Sequence, residues 1–335
     1  MMDANRKARY WHKLKDGRVQ CDLCPHGCKI KEGRSGLCQV RQNEQAVLYA
    51  VNYARVASLA LDPIEKKPLY HFYPGENILS IGTMGCNLAC GFCQNYSLAH
   101  GTPDYAAVSP ENMVAMAEEA RDLGSIGIAY TYSEPLMWYE YVLDCARLAH
   151  TRGLKNVLVT NGFINEKPLI ELLPYIDAMN VDLKAFTEDF YRQHCRGRLH
   201  PVTRTLELCQ GQTHLEVTTL LVTGINDSPE EIGQLARWLG SLDQNIVLHL
   251  SRYHPAYRFE LPPTPVETIK KAREAASQYL EYVYVGNIGG FDNHTRCAEC
   301  GNTLIRRNGY STRVLTETEG VCTCGKSLPY KAGSW

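Results

Sequence analysis

The stretch NILSIGTMGCNLACGFC, residues 77–93, determines how the rest of this 335-residue chain is interpreted. Residues 77–85 form a short apolar run that predicts a β-strand. Directly after it come three cysteines, Cys86, Cys90 and Cys93, at spacings of four and three residues. A structural zinc site needs four closed ligands, whereas three thiols leave one position of a metal centre free. The stretch therefore predicts a strand that runs into a loop able to hold a catalytic metal centre.

Strand-like and helix-like segments alternate along the chain from this loop onward. Strands are predicted at 77–85, 126–132, 155–160, 178–183, 214–222, 245–250 and 281–285, and helices at 109–123, 136–150, 167–175, 233–242 and 266–280. Ser228 and Thr264 are expected to cap the last two helices, because each is followed by proline and, three residues after the cap, by glutamate. Six β/α units in series predict an α/β fold with a parallel sheet. Because a full barrel has eight units, we expect a partial, open (β/α)6 barrel with its chemistry at the C-terminal strand ends.

Composition limits the partners and the compartment. The chain has 35 basic and 36 acidic residues and no polybasic run, which argues against a broad nucleic-acid interface. No apolar stretch approaches the ~20 residues of a membrane span, and residues 1–17 contain no signal-like apolar segment. We therefore expect a cytoplasmic protein. In that reducing compartment, the clustered members of its 14 cysteines are interpreted as metal or iron–sulfur ligands rather than as a disulfide framework.

The motif Cys86-Asn-Leu-Ala-Cys90-Gly-Phe-Cys93 resembles the CxxxCxxC signature of the radical S-adenosylmethionine (SAM) enzymes. In that family the three cysteines hold three irons of a [4Fe–4S] cluster, and the fourth iron binds SAM. The resemblance extends through most of residues 70–290 and includes segments similar to the glycyl-radical-enzyme activases, such as the pyruvate formate-lyase activating enzyme. It implies reductive cleavage of SAM to a 5′-deoxyadenosyl radical, which abstracts hydrogen from a substrate. It also implies a one-electron reductant such as flavodoxin or ferredoxin.

Other strand ends are similar to segments that contact SAM in this family. In Tyr130-Thr-Tyr-Ser-Glu-Pro135, Glu134 corresponds to the glutamate that holds the SAM amino group, although Tyr132 and Ser133 replace two glycines. The Thr-Asn-Gly, Asp-Leu-Lys and Tyr-His segments after later strands imply further contacts with SAM or substrate from Asn161, Asp182, Lys184 and His254. Val159 stands where the activases carry an acidic residue, which puts their monovalent-cation site in doubt.

Two small cysteine modules flank the α/β region, and neither is large enough to bury a core without a bound metal. The first, at about 18–42, contains Cys21, Cys24, Cys28 and Cys38, with His26 as another possible ligand, and could hold zinc or an auxiliary [4Fe–4S] cluster. The second, at about 294–330, contains Cys297, Cys300, Cys322 and Cys324 in two knuckles typical of a zinc ribbon or rubredoxin site. Zinc is the expected metal there and iron the alternative. The remaining cysteines, Cys145, Cys195 and Cys209, are interpreted as structural.

The whole arrangement predicts three regions: 1–70 with the first module, 71–290 with the partial barrel, and 291–335 with the second module. It resembles the radical SAM member of the AmmeMemoRadiSam gene system, which implies Memo-type and Amme-type partner proteins. Similarity to the activases suggests a protein substrate. The alternatives are a small molecule or an RNA base as substrate, or a non-catalytic metal-binding scaffold.

Overall fold

The fold is built on one open eight-stranded sheet. The computed structural model describes residues 6–316, 320–327 and 330–331. The strands are β1 (Ser58–Pro63), β2 (Asn77–Gly82), β3 (Ser125–Tyr130), β4 (Lys155–Thr160), β5 (Ala178–Asp182), β6 (His214–Leu221), β7 (Val247–Arg252) and β8 (Val283–Gly286). They lie side by side in chain order, with β2 to β8 parallel and β1 antiparallel to β2. Within the described residues β1 and β8 do not pair, so the predicted parallel sheet without a closed barrel is confirmed. The antiparallel edge strand was not predicted.

Helices connect the parallel strands. They are α1 (Pro110–Glu119), α2 (Tyr139–Thr151), α3 (Glu166–Leu172), α4 (Leu199–Cys209), α5 (Pro229–Leu242) and α6 (Val266–Ala276). Shorter helical turns lie at Ile64–Lys66, Tyr96–His100, Ala120–Leu123, Pro135–Trp138, Leu173–Tyr175, Glu188–Phe190 and Tyr191–Cys195. Sequence analysis missed α4, which has no side-chain cap and is stabilised by packing of buried residues such as Val202 and Leu206.

One of the two predicted helix caps is present. The Ser228 hydroxyl accepts a hydrogen bond from the Glu231 backbone N–H at 3.1 Å, as expected. The prediction for Thr264 was wrong, because its hydroxyl donates to the carbonyl of Leu221 at 2.5 Å and accepts from the N–H of Tyr253 at 3.1 Å. Thr264 is completely buried and joins the ends of β6 and β7, so tertiary contacts override the local capping pattern.

A buried carboxylate fixes the segment that fills the inner face of the sheet. Glu216 on β6 accepts hydrogen bonds from the backbone N–H groups of Tyr70 and His71, at 2.9 and 2.7 Å. His214 and His249 each place Nε2 within 2.9 Å of the same carboxylate. Burial alone would raise the pKa of Glu216, but these two imidazoles outweigh it and hold the pKa well below its usual range. The interpretation of His249 as a packed strand histidine is confirmed.

The flanking regions form small sheets of their own. On the N-terminal side these are Trp11–Lys13 with Val19–Cys21 and Lys29–Ile30, Arg6–Lys7 with Val47–Ala50 and Arg41–Glu44, and Arg55–Val56 with Ala106–Ala107. On the C-terminal side Thr295–Arg296, Thr303–Asn308 and Ser311–Val314 form a three-stranded sheet, in which the last two strands make a hairpin. Residues 1–5 and parts of the predicted region 291–335 lie outside the described residues. Among the described helices, none has the length and apolar character needed to cross a membrane.

The position of Thr264 leads to a stability prediction. Thr264→Val keeps the shape of the side chain but leaves the Leu221 carbonyl and the Tyr253 N–H without their buried partner. We expect it to lower the free energy of unfolding by about 1–3 kcal/mol, as measured by urea denaturation. The control is Thr203→Val on α4, where the lost hydroxyl bond is exposed and the change should stay within about 0.5 kcal/mol. Equal effects of the two substitutions would contradict this account.

Candidate active site and metal centres

The three thiols of the loop after β2 line one cavity. Cys86, Cys90 and Cys93 face a space of about 410 Å³ at the C-terminal end of the parallel strands. No group of three sulfurs from this loop lies within 4.8 Å of one another in the part of the chain that the structure describes. The thiolates of a single tetrahedral zinc ion would stand about 3.8 Å apart, given Zn–S bonds of about 2.3 Å. The loop therefore fits a larger iron–sulfur cluster better than a single ion.

Backbone hydrogen bonds fix this loop from two sides. The N–H groups of Ala89 and Gly91 donate to the carbonyls of Cys195 and His194, at 2.8 and 3.2 Å. From the other side, the N–H of Arg258 donates to the carbonyl of Gly91 at 2.9 Å. These bonds hold the backbone that carries Cys90, so the positions of the thiols do not depend on a bound metal alone.

A fourth cysteine lies beside the loop and was not recognised from sequence. The Cys195 side chain is completely buried. The neighbouring Cys195 thiol and the Lys184 ammonium lower the pKa of Cys90, while burial raises the pKa of Cys86 and of Cys93. Cys195 does not line the cavity. It is placed to support the Cys90 sulfur from behind, and its spacing from the motif gave no sequence signal.

Glu134 lies in the wall of the cavity and is almost completely buried. Its carboxylate accepts hydrogen bonds from the Thr160 hydroxyl at 2.6 Å, the Asn161 N–H at 2.8 Å and the Leu136 N–H at 3.0 Å. The last bond caps the helical turn that opens with Pro135. Burial raises the pKa of Glu134 to about 7, against the effect of these donors. A cation bound next to it would favour the carboxylate form.

The segment before Glu134 adopts the backbone that glycine would favour, although it carries larger residues. Tyr132 has a positive φ of 70°, which costs energy for a residue with a Cβ. Its hydroxyl donates to Asp62 at 2.5 Å, and Lys67 donates to the same carboxylate at 2.6 Å. These bonds to the edge strand compensate for the missing glycine. Tyr132, Ser133 and Lys67 all line the cavity.

Of the other four residues predicted to contact SAM or substrate, three line the cavity. Asn161 lines the cavity, but its side-chain N–H donates to Asn87 at 2.9 Å and lies 3.7 Å from the Cys86 sulfur, so it orients the loop. Asp182 and Lys184 also line the cavity and form an ion pair at 3.0 Å. Burial would lower the pKa of Lys184, but the Asp182 carboxylate and nearby thiols raise it well above its usual range.

His254 lies outside the cavity wall. Its Nε2 is 3.2 Å from the carbonyl oxygen of Asn287, and it is Asn287 that lines the cavity. Arg252 is turned away as well, and its Nε donates to the carbonyl of Thr264 at 2.8 Å. Tyr310, from the turn of the C-terminal hairpin, reaches the cavity instead. The sequence gave no sign of this contact because the two segments are distant along the chain.

The C-terminal cysteines form a compact centre. The sulfurs of Cys297, Cys300, Cys322 and Cys324 all lie within 4.8 Å of one another. The Cys297–Cys324 and Cys300–Cys322 distances are both 3.6 Å. This spacing matches the roughly 3.8 Å expected for four thiolates around one tetrahedral ion. The CxC knuckle thus brings both of its thiols into the same compact group of sulfurs.

The N-terminal cysteines form a different arrangement. Cys21, Cys24, Cys28 and Cys38 line a second, much smaller cavity together with His26. His26 is turned toward the loop after β2, with Nε2 2.7 Å from the carbonyl oxygen of Asn87.

Comparisons with known proteins identify relatives of this chain. The Radical SAM superfamily profile matches residues 80–239. "Uncharacterized protein MJ0808" of Methanocaldococcus jannaschii is 40% identical over 334 residues, 96% of this chain and 98% of that protein. A GTP 3′,8-cyclase of Geobacter sulfurreducens is 28% identical over 70% of this chain and 78% of its own length. The pyruvate formate-lyase 1-activating enzyme of Escherichia coli is 23% identical over 58% of this chain and 86% of its own length.

A solved structure agrees on the fold. Streptococcus suis SuiB matches with a TM-score of 0.51 at 16% sequence identity, over 68% of this chain and 52% of SuiB. With the cysteine loop at the end of β2 and the profile match, this chain belongs to the radical SAM superfamily and is an enzyme of that family, similar to the activases. Membership implies a [4Fe–4S] cluster and SAM as cofactors.

The loop geometry leads to a second prediction. A Cβ on Gly91 would lie 2.4 Å from Cε1 of Phe259, so Gly91→Ala must displace the loop or the ring. We expect a loss of about 1–3 kcal/mol in unfolding free energy and a lower iron and sulfide content after reconstitution. Adding Phe259→Ala should restore both quantities. Gly289→Ala, at a position with open space around it, is the control. Wild-type iron content in Gly91→Ala would show that the ring does not constrain the loop.

Proposed function

We propose that this enzyme cleaves SAM reductively on a cluster held by Cys86, Cys90 and Cys93 and uses the product to abstract hydrogen from a substrate. The observation that carries the proposal is the set of three loop thiols, too widely spaced for one ion, that share a cavity with a buried carboxylate and an ion pair. One electron supplied by the cluster splits the sulfonium of SAM into methionine and a 5′-deoxyadenosyl radical. Transfer of hydrogen to this radical gives 5′-deoxyadenosine and a substrate radical.

The residues of the cavity are assigned to parts of SAM by charge. The free lone pairs of the Glu134 carboxylate suit the ammonium group of the methionine moiety. Lys184 presents a positive charge to the carboxylate of the same moiety, and Asp182 can accept hydrogen bonds from ribose hydroxyls. Asn161, in the cavity lining, orients the loop through Asn87, whereas His254 acts from outside the cavity through Asn287. The protein thus orients SAM and excludes water from the reacting atoms.

A segment of a partner protein is the substrate class that we favour. The sheet is open between β1 and β8 in the described part of the chain, and the cavity mouth is lined by Lys66 and Tyr310 as well as by strand-end residues. Similarity to an activating enzyme agrees with this choice, whereas similarity to a GTP cyclase supports a small-molecule substrate. Deuterium-labelled candidate proteins, including any Memo-type and Amme-type partners, test it. Appearance of deuterium in 5′-deoxyadenosine identifies a protein substrate, and transfer from labelled nucleotides alone would refute it.

The N-terminal and C-terminal modules are assigned to metal binding in the proposed regions 1–70 and 291–335. Zinc is the metal that we propose for Cys297, Cys300, Cys322 and Cys324, because their spacing suits one tetrahedral ion. The supply of electrons by a flavodoxin or ferredoxin is also part of the proposal.

The central test is SAM turnover. After anaerobic reconstitution with iron and sulfide and reduction by dithionite, the protein should release 5′-deoxyadenosine from SAM. The triple variant Cys86→Ala, Cys90→Ala, Cys93→Ala should release none, because SAM then has no iron to bind. A protein with an intact reduced cluster that binds SAM but leaves it uncleaved, with and without substrate candidates, would favour the non-catalytic scaffold.

Glu134 provides a more specific prediction. Glu134→Gln removes the negative charge opposite the SAM ammonium, and we expect SAM binding to weaken about 10-fold or more, as measured by isothermal titration. In the wild type, affinity should fall as the pH drops through about 7, because the carboxylate becomes protonated below its pKa. The variant should lose this pH dependence. Glu188→Gln is the control, because that carboxylate also accepts backbone N–H bonds but lies outside the cavity. Unchanged affinity in Glu134→Gln would remove Glu134 from the site.

A further inference from the structure

The four N-terminal thiols line a cavity and are spaced more widely than the ligands of a single metal ion. Cys21, Cys24, Cys28 and Cys38 line one cavity, yet no three of their sulfurs lie within 4.8 Å of one another, although all four belong to the described residues. Thiolates around one tetrahedral ion stand about 3.8 Å apart, so every trio of these sulfurs contains at least one pair that is too far apart for that geometry.

The C-terminal module provides an internal comparison. Its four sulfurs all lie within 4.8 Å of one another, and two of the pairs are 3.6 Å apart. The same chain therefore contains one cysteine set with the spacing of a single ion and another with a wider spacing. A [4Fe–4S] cluster is also held by four thiolates, but it is bulkier than one ion and keeps its ligands farther apart. The wider set fits a cluster.

A buried cation with a free donor faces the same cavity. Arg41 is only 1% exposed and lines the cavity. Its Nη2 donates to Glu140 at 2.7 Å and its Nη1 to the carbonyl of Arg9 at 3.0 Å, while its Nε has no partner among the described residues. Leaving a buried N–H unsatisfied is costly. A cluster with four thiolate ligands is anionic, so it supplies both an acceptor for this N–H and a counter-charge for the guanidinium.

The position of the cavity suggests what a cluster there would do. Asn87 lines the N-terminal cavity, and its chain neighbours Cys86 and Leu88 line the catalytic one. A Cβ on Gly85 would lie 2.9 Å from the carbonyl oxygen of Cys38, so the two loops are in direct backbone contact. On the outer side, Leu37 lines the N-terminal cavity and is 63% exposed. The space thus lies between the protein surface and the catalytic loop.

We propose that Cys21, Cys24, Cys28 and Cys38 hold an auxiliary [4Fe–4S] cluster that passes electrons inward to the catalytic site. The cluster accepts one electron from a reduced flavodoxin or ferredoxin docked near Leu37, going from the 2+ to the 1+ state. It returns to 2+ when the electron moves on past Asn87. The relay rests on the function proposed above, whereas the presence of the cluster does not.

The first experiment counts metals in the full chain carrying Cys86→Ala, Cys90→Ala and Cys93→Ala, reconstituted without oxygen. We expect about four irons and four sulfides per chain, one zinc, and a dithionite-reduced electron paramagnetic resonance (EPR) signal that SAM does not alter. Two zinc ions and no acid-labile sulfide would overturn the proposal. Adding Cys24→Ser and Cys38→Ser should remove the iron and sulfide and leave the zinc.

A measurement on the unmodified protein covers the case in which these variants do not fold. Mössbauer and EPR spectra should then show about eight irons per chain in two clusters, of which only one changes when SAM is added. About four irons, all in a cluster that responds to SAM, would refute the auxiliary cluster while leaving SAM cleavage intact.

The relay is tested through the choice of reductant. In Cys24→Ser, 5′-deoxyadenosine formation driven by reduced flavodoxin should fall at least about tenfold. Dithionite, a small molecule that reaches the catalytic cavity directly, should restore most of this loss. An unchanged rate with flavodoxin in a variant shown to lack the auxiliary cluster would overturn the relay, as would an equal loss with both reductants.

Discussion

The backbone hydrogen bonds that hold the loop after β2 are the constraint on which the rest of the site depends. Their partners come from elements far apart in the chain, including the turn before α4 and the segment after β7. Asn87 at the centre of the loop donates to the carbonyl of Phe163 at 2.7 Å, which ties the loop to the end of β4 as well. An open sheet cannot rely on closure to fix its strand ends. Here the loop itself connects them.

These bonds bear on the spacing of the three thiols. One tetrahedral ion requires short sulfur–sulfur distances, and a flexible loop would let three thiols approach that closely. The hydrogen bonds donated by the N–H groups of Ala89 and Gly91 hold the backbone in place without using the sulfurs. The choice between a single ion and a cluster is therefore encoded in the backbone as well as in the cysteine spacing.

The sequence predicted the features that depend on local pattern. The strands β2 to β8 follow apolar runs, and Glu134 and Asp182 were found because they stand at strand ends in recognisable motifs. What it missed depends on contacts between distant segments. Cys195 lies about 100 residues from the loop that it supports. Tyr310 comes from the C-terminal module. The Thr264 hydroxyl bonds to Leu221 and Tyr253 and therefore does not cap its helix. Helix α4 was missed since packing, rather than a cap, stabilises it.

Several buried contacts join the C-terminal module to the inside of the sheet, and the Arg307 side chain contributes to them. Arg307 donates to the carbonyl of Tyr70 at 2.6 Å and to the hydroxyl of Thr295 at 2.7 Å, while the turn that follows it carries Tyr310 into the cavity wall. Cys300 and Cys324 in that module are exposed to solvent. Because the same hairpin brings Tyr310 into the cavity wall, any displacement of this exposed module would also shift a side chain that lines the cavity.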